Sequence, residues 1–214
     1  MKKYNLINQE PFLCVPCCFE MIFKRRGIEI DKSQIELAFM MDFSLDPNVN
    51  TESWKYYEDN GIIVRKGNHS EGDTGCKFKD FGKQIATPLN IPLKEIYFTS
   101  SMFTRELGED NYMLFARQCE IYLKANTDVL MAINYKVIID NGNCDIHEVD
   151  YWGHALLLEY IDDKFNFHVV VPETKEKGGT KRMVIPLEVM YKSFYSHRRG
   201  FVSSYYSFFC IWKI

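Results

Sequence analysis

Two residues far apart in this sequence, Cys14 and His154, carry side chains suited to nucleophilic catalysis. A thiol becomes an effective nucleophile when an imidazole removes its proton or pairs with its thiolate. Cys14 begins an apolar segment whose spacing predicts a helix over residues 14–26, and the unpaired N–H groups at a helix start favour a thiolate. His154 follows a polar loop and begins an apolar segment that predicts a strand. The pair therefore predicts acyl chemistry, provided that the fold brings both residues together.

Two amide side chains precede the candidate nucleophile. Asn8 and Gln9 lie six and five residues before Cys14. A side-chain N–H in that position can donate, together with the backbone N–H of Cys14, to the oxyanion that forms when sulfur attacks a carbonyl. Either amide is a candidate donor.

The elements that must position these residues are mainly helical in the first half of the chain and extended in the second half. We predict helices over about 14–26, 33–41, 51–61, 77–86, 111–125 and 186–194, and strands over about 62–64, 94–98, 129–139, 154–161, 165–171 and 201–212. Helices followed by strands, instead of alternating β and α units, predict an α+β fold. A polar, glycine-containing loop at 66–76 is the candidate boundary between two lobes.

The composition is that of an ordinary globular chain, with 214 residues, 46% hydrophobic residues and a formal net charge of −3. This length suits one domain. Without a basic excess or an apolar run of about 20 residues, the chain is expected to bind neither nucleic acid nor a membrane. Seven cysteines, an odd number, argue against a complete disulfide framework, so we expect reduced thiols and a cytoplasmic protein.

Two other interpretations of the cysteines are open. A four-ligand zinc site, built from two pairs of ligands with two residues inside each pair, fits the positions Cys14, Cys17, Cys144 and His147. The two cysteines of the first pair also have the spacing of a redox-active CxxC motif, which usually follows a core strand. The segment before them contains Pro11 and several polar residues, so it is a poor core strand.

The two candidate residues, and the predicted strand before the histidine, lie in the segments NQEPFLCVPCCFEMIFKRRGI, ANTDVLMAINY and GHALLLEYIDD. These segments resemble those of the bacteriocin-processing peptidases that cleave double-glycine leaders, a branch of the papain-like cysteine peptidases. By this resemblance Cys14 matches the nucleophile and His154 matches the base. Their separation of 140 residues lies in the range of about 130–150 that is typical of papain-type pairs.

The resemblance implies a single papain-like domain over residues 1–214, in which an N-terminal helical lobe packs on a C-terminal antiparallel β-sheet. The implied helical lobe covers about 1–65, and a variable insert covers about 66–110. A helix and the β-sheet form the second lobe, over about 111–214.

The chain departs from the pattern of this family at three places. Val15 replaces the glycine that usually follows the nucleophile. Gln9 lies one residue closer to the cysteine than the family's glutamine does, whereas Asn8 has the family's spacing. The family also has an aspartate on the strand after the histidine, which orients the imidazole. This chain has VVVPE at that place, and Glu173 and Asn166 are the candidate orienting residues.

Together, the residues and the resemblance predict a cysteine-nucleophile hydrolase that cleaves a peptide or amide bond through a thioester, without a cofactor or a metal. Its expected partner is a peptide or an acylated small-molecule substrate. Three alternatives remain open. They are an acyltransferase of the same fold, a catalytically inactive papain-like binding module, and a structural zinc protein.

Overall fold

The computed structural model describes residues 3–71, 74–77, 80–99, 108–150, 152–200 and 206–213. Its α-helices are α1 (Cys14–Arg25), α2 (Gln34–Met40), α3 (Thr51–Asp59), α4 (Glu109–Lys124), α5 (Tyr135–Ile139) and α6 (Leu187–Gly200). Short 3-10 turns lie at His69–Glu71 and Lys175–Lys177, and a π-helical turn lies at Gly82–Ala86. Within these described residues, no helix combines the length and the apolar character needed to cross a lipid bilayer.

The strands of the described residues form a small and a large sheet. They are β1 (Ser44–Leu45), β2 (Arg65–Lys66), β3 (Leu93–Thr99), β4 (Asp128–Asn134), β5 (Gly153–Ile161), β6 (Phe167–Val171), β7 (Lys181–Ile185) and β8 (Tyr206–Lys213). β1 and β2 form a short parallel pair. The other strands form one antiparallel sheet in the order β3-β8-β4-β5-β6-β7. The predicted mixture of helices with an antiparallel sheet is confirmed.

Helices cover both faces of the large sheet. Buried residues of α1 pack with Ala155 and Leu157 of β5 on one face. Buried residues of α4 and α6 pack with Leu156 and Leu158 on the other face. Because successive side chains of a strand point to opposite faces, burial on both sides explains why this strand has a continuous apolar run. It also brings α1, which begins at the candidate nucleophile, against the strand that carries the candidate base.

The fourth strand is shorter than the sequence pattern predicted. A strand was predicted over residues 129–139, but β4 ends at Asn134 and α5 begins at Tyr135. The side-chain oxygen of Asn134 accepts a hydrogen bond from the N–H of Lys136 at 3.2 Å and so caps the new helix. Val137 is fully buried in that helix, so its β-branched side chain satisfies core packing without a strand. The prediction of one long strand was wrong in its second half.

Buried polar groups hold the segment before α1 against the sheet. The Tyr4 hydroxyl donates to Oδ1 of Asp128 at 2.7 Å, and the Tyr4 N–H donates to Oε1 of Glu159 at 2.9 Å. Asp128 is fully buried and also pairs with Arg25 at 2.5 Å and with Arg26. Burial raises the pKa of Tyr4, which therefore stays a neutral donor. This network fixes the path of the chain toward the first turn of α1.

Candidate active site

Cys14 is the first residue of α1 and is partly exposed. Burial raises the pKa of Cys14, backbone N–H groups near the sulfur, which include those of Ala155 and Val15, oppose this change, and the carboxylate of Glu173 raises the pKa further. The net direction is upward, so the thiol is neutral near pH 7. The thiolate that the helix start favours is therefore not the resting state, because burial outweighs the backbone donors.

The sulfur can reach the N–H of Ala155 because of the way the surrounding strands pair. β4 pairs with the part of β5 from Gly153 to Leu158, which includes Ala155. In contrast, β6 pairs with β5 only from Leu157 to Ile161. The start of β5 is thus covered by α1 instead of by β6. As a result, the sulfur of Cys14 lies against the peptide that joins His154 to Ala155.

His154 is held by a backbone carbonyl and an aromatic ring. Its Nε2 lies 2.9 Å from the carbonyl oxygen of Pro172, and because a carbonyl only accepts, Nε2 carries the proton and Nδ1 is the basic nitrogen. The ring of Tyr135 packs on the imidazole with centroids 5.0 Å apart. Burial lowers the pKa of His154 to about 4, against the effect of the Pro172 carbonyl, and the ammonium of Lys177 adds to the lowering. The imidazole is therefore a neutral base near pH 7.

The carbonyl of Pro172 occupies the position for which Glu173 and Asn166 were predicted. Asn166 lies at the opposite end of the β5–β6 hairpin from His154, where its amide donates to Oδ2 of Asp162 at 3.0 Å. The Oε1 of Glu173 accepts from the N–H of the next residue at 3.2 Å. Neither side chain bonds to the imidazole, so the orienting group is a backbone atom and both side-chain predictions need correction.

The two amide candidates differ in what holds them. Oδ1 of Asn8 accepts a hydrogen bond from the N–H of Thr180 at 3.0 Å, so this amide fastens the loop between β6 and β7. The backbone N–H of Gln9 donates to the carbonyl of Glu173 at 3.1 Å. This contact brings Gln9 beside the segment that holds the imidazole. Gln9 is therefore next to the segment that holds the imidazole, whereas Asn8 is held by the loop between β6 and β7.

Three groups at the site were not foreseen from the sequence: the N–H of Ala155, the carbonyl of Pro172 and the ring of Tyr135. The first two belong to the backbone, so residue types carry no signal for them. Tyr135 is the last residue of the segment ANTDVLMAINY, and the resemblance of that segment was the available signal. Among the described residues, no hydrogen bond joins the sulfur of Cys14 directly to the imidazole, and catalytic hydrogen bonds are often long before substrate binds.

The residues proposed for a zinc site do not come together. Cys17 is fully buried and its thiol donates to the carbonyl of Ile7 at 3.2 Å. Cys144 lines a separate cleft with Lys136 and Asp140. In the described part of the chain, no three cysteine, histidine or acidic side chains are arranged to hold a metal ion. The zinc interpretation therefore has no geometric support there.

No protein-family model matches this chain, and no curated protein matches its sequence. A functional proposal therefore rests on the geometry around Cys14 and His154 and on the resemblance of the segments that contain them.

Proposed function

We propose that this chain is a cysteine-nucleophile hydrolase of papain-like architecture, similar to the bacteriocin-processing peptidases, that cleaves a peptide or amide bond through a thioester. The observation that carries the proposal is the contact between the Cys14 sulfur and the peptide that follows His154, beside an imidazole fixed by Pro172. The mixed fold with an antiparallel sheet is consistent with this architecture.

The first half of the reaction forms the thioester. Nδ1 of His154 takes the thiol proton of Cys14 while the sulfur attacks the carbonyl carbon of the amide. The oxyanion accepts hydrogen bonds from the N–H of Cys14 and from the side-chain amide of Gln9. The C–N bond then breaks, and the imidazolium gives its proton to the departing amine nitrogen.

Water completes the second half. The imidazole of His154 takes a proton from a water molecule while the water oxygen adds to the thioester carbonyl carbon. The C–S bond breaks, and the imidazolium returns the proton to the sulfur of Cys14. The products are a carboxylic acid and an amine, and the steps balance because one imidazole takes and returns each proton.

The carbonyl of Pro172 has the positioning role in this scheme. It keeps the proton on Nε2 of His154, so that Nδ1 is the nitrogen that accepts the thiol proton. A carbonyl has no full negative charge, so it stabilises the imidazolium less than the aspartate of a catalytic triad does. We therefore expect a base that works in its neutral form and an imidazolium that is short-lived.

The test is the alkylation rate of Cys14 by iodoacetamide, measured by peptide mass spectrometry on the wild type and on His154→Gln. If His154 acts as the base, its replacement lowers the rate at pH 7 by about 100-fold, the usual contribution of general-base catalysis. The matched control is His168→Gln. His168 is also on the sheet, but its Nε2 pairs with Asp162 at 3.1 Å, so the rate at Cys14 stays at the wild-type value.

Cys144 provides an internal standard, because it is a second partly exposed thiol in the same sample. Its alkylation rate should be the same in all three proteins. Equal Cys14 rates in the wild type and in His154→Gln, with both proteins folded by circular dichroism, contradict the proposed function.

A further inference from the structure

Glu173 lies beside the candidate site, and its backbone is fixed on three sides. It follows Pro172, whose carbonyl binds the imidazole of His154. Its N–H donates to Oγ1 of Thr180 at 3.1 Å, and its carbonyl accepts from the N–H of Gln9 at 3.1 Å. These contacts hold the residue between the imidazole and the segment that leads to the nucleophile.

The carboxylate of Glu173 has no cationic partner in the part of the chain that the structure describes. Its Oε1 accepts one hydrogen bond, from the N–H of Thr174 at 3.2 Å. Gln9, which bonds to the Glu173 backbone, does not balance the charge. Its buried Oε1 is another acceptor and has no hydrogen-bond partner among the described residues. The Glu173 carboxylate and the side-chain oxygen of Gln9 are thus two acceptors with few hydrogen bonds among the described residues.

The negative charge of Glu173 disfavours a thiolate at Cys14. Burial is the main cause that raises the pKa of Cys14, and the carboxylate of Glu173 adds to it. Burial also raises the pKa of Tyr135, whose ring packs on His154, and the carboxylate of Glu173 is the second cause of this increase. Because Glu173 is half-buried, water screens its charge only in part. A neutral side chain at this position would disfavour the Cys14 thiolate less, and a cation bound to the carboxylate would have the same effect.

We propose that Glu173 is the recognition residue for a cationic group of the substrate, an ammonium or a guanidinium close to the amide that is cleaved. Such a group supplies N–H donors to the carboxylate in charge-assisted hydrogen bonds. It also cancels the negative charge that disfavours a thiolate at Cys14, so substrate binding and activation of the nucleophile are coupled. This inference rests on the proposed function, because it takes Cys14 as the nucleophile.

Three other charged residues lie on the same loop, namely Lys175, Glu176 and Lys177. The ammonium of Lys177 acts on His154, where it disfavours a second positive charge. Glu176 is exposed, and its carboxylate acts on Tyr56. Glu176 therefore offers a matched control for Glu173, with the same charge on the same loop but a different target.

The test compares three methanethiosulfonate reagents that transfer a thio group to a thiol and release methanesulfinate. The reagents carry a trimethylammonium group, a sulfonate group or an uncharged methyl group. Rates at Cys14 are measured by peptide mass spectrometry and are divided by the rates for the amino acid cysteine. The proteins are the wild type, Glu173→Gln and Glu176→Gln. The glutamine at 173 keeps both backbone contacts and an oxygen for Thr174, so the variant should fold.

The expected result is a preference of wild-type Cys14 for the cationic over the anionic reagent of about tenfold, as one partly screened charge at close range gives. Glu173→Gln removes most of this preference, and Glu176→Gln keeps it within about twofold of the wild type. An unchanged preference in Glu173→Gln overturns the proposal, and so does a failure of every reagent to modify Cys14. If His154→Gln slows the alkylation of Cys14 by iodoacetamide but Glu173→Gln leaves the charge preference unchanged, only this inference fails and the proposed function stands.

Discussion

The imidazole of His154 is fixed by the carbonyl of Pro172, with 2.9 Å between Nε2 and the oxygen, at the place where the resemblance to papain-like peptidases implies a carboxylate. The difference matters because a carboxylate stabilises an imidazolium and a carbonyl does so only weakly. Burial lowers the pKa of His154 to about 4, and the hydrogen bond to the Pro172 carbonyl opposes this lowering only in part. The resting pair is thus a neutral thiol and a neutral imidazole, not an ion pair.

The protonation state of His154 can be observed directly. In protein labelled with 15N-histidine, we expect His154 at pH 7 to be neutral, with the proton on Nε2 and none on Nδ1. Its signals should titrate in a single step near pH 4, because burial disfavours the charged ring. The Cys14→Ser variant should give the same titration, since no thiolate stabilises the ring. A doubly protonated imidazole at pH 7 that becomes neutral in Cys14→Ser would show an ion pair and contradict this expectation.

The lowered pKa of His154 also predicts how stability depends on pH. The unfolded state, in which histidine has a pKa near 6.5, binds a proton more readily than the folded state does between about pH 6.5 and 4. Stability is therefore present above pH 6.5 and is lost as the pH falls. With a folded-state pKa of about 4, this group contributes a loss of up to about 2 kcal/mol between pH 7 and 4.5.

Urea unfolding of the wild type and of His154→Gln at these two pH values measures that loss. The variant should lose about 2 kcal/mol less than the wild type on acidification. Asp162 does not confuse the comparison: hydrogen bonds from Asn166 hold the pKa of this carboxyl below its usual range, so its effect falls at lower pH. An identical loss in both proteins would show that His154 does not titrate differently in the folded state.

Burial patterns in the sequence predicted the two elements that carry the candidate site residues. A helix that starts at Cys14 and a strand that carries His154 were both predicted, because their apolar residues recur at the spacing that a packed helix or a buried strand requires. The order of these elements also indicated the mixed fold. Apolar periodicity predicts an element correctly where the apolar residues of that element are buried in the core.

The parts that the sequence did not predict depend on the backbone or on distant packing. The carbonyl of Pro172 and the N–H of Ala155 are backbone groups of a kind that almost every residue has. Only the tertiary structure decides which of these groups lie at the candidate site. The end of β4 was missed because the cap formed by Asn134 overrides the preference of the following β-branched residues for a strand. The raised pKa of Cys14 was missed because burial, which no local pattern measures, outweighs the helix start.

The loop that presents Pro172 depends on Gly179. A Cβ at this position would lie 2.9 Å from Oδ1 of Asn8, which accepts the hydrogen bond from Thr180. Gly178 also has a positive φ, of 94°, but a Cβ there meets nothing within 4 Å. Alanine at either position should cost about 1 kcal/mol from backbone strain. Only Gly179→Ala should also displace the amide and loosen the loop.

The measurement is the iodoacetamide rate at Cys14 for Gly179→Ala and Gly178→Ala. We expect the first variant to react several-fold more slowly than the second, since the candidate base is held by a loop that has lost a hydrogen bond of about 1 kcal/mol. Urea unfolding shows whether both variants carry the same backbone strain. Equal alkylation rates would show that the contact between Asn8 and Thr180 does not position the base.

The turn that leads into α1 has an unfavourable residue at one position. The N–H of Leu13 donates to the carbonyl of Glu10 at 3.0 Å, and Phe12, in the third position of this turn, has a φ of 66°. After Pro11, this geometry is a type II turn, which favours glycine at that position. The Phe12 side chain is 41% exposed, so its packing offsets only part of the backbone strain.

We expect Phe12→Gly to be more stable than Phe12→Ala by about 1 kcal/mol, because both variants lose the ring but only glycine relieves the strain of the left-handed backbone. Urea unfolding of the two variants measures the difference directly, and equal stabilities would mean that the chain does not enter α1 through a left-handed residue.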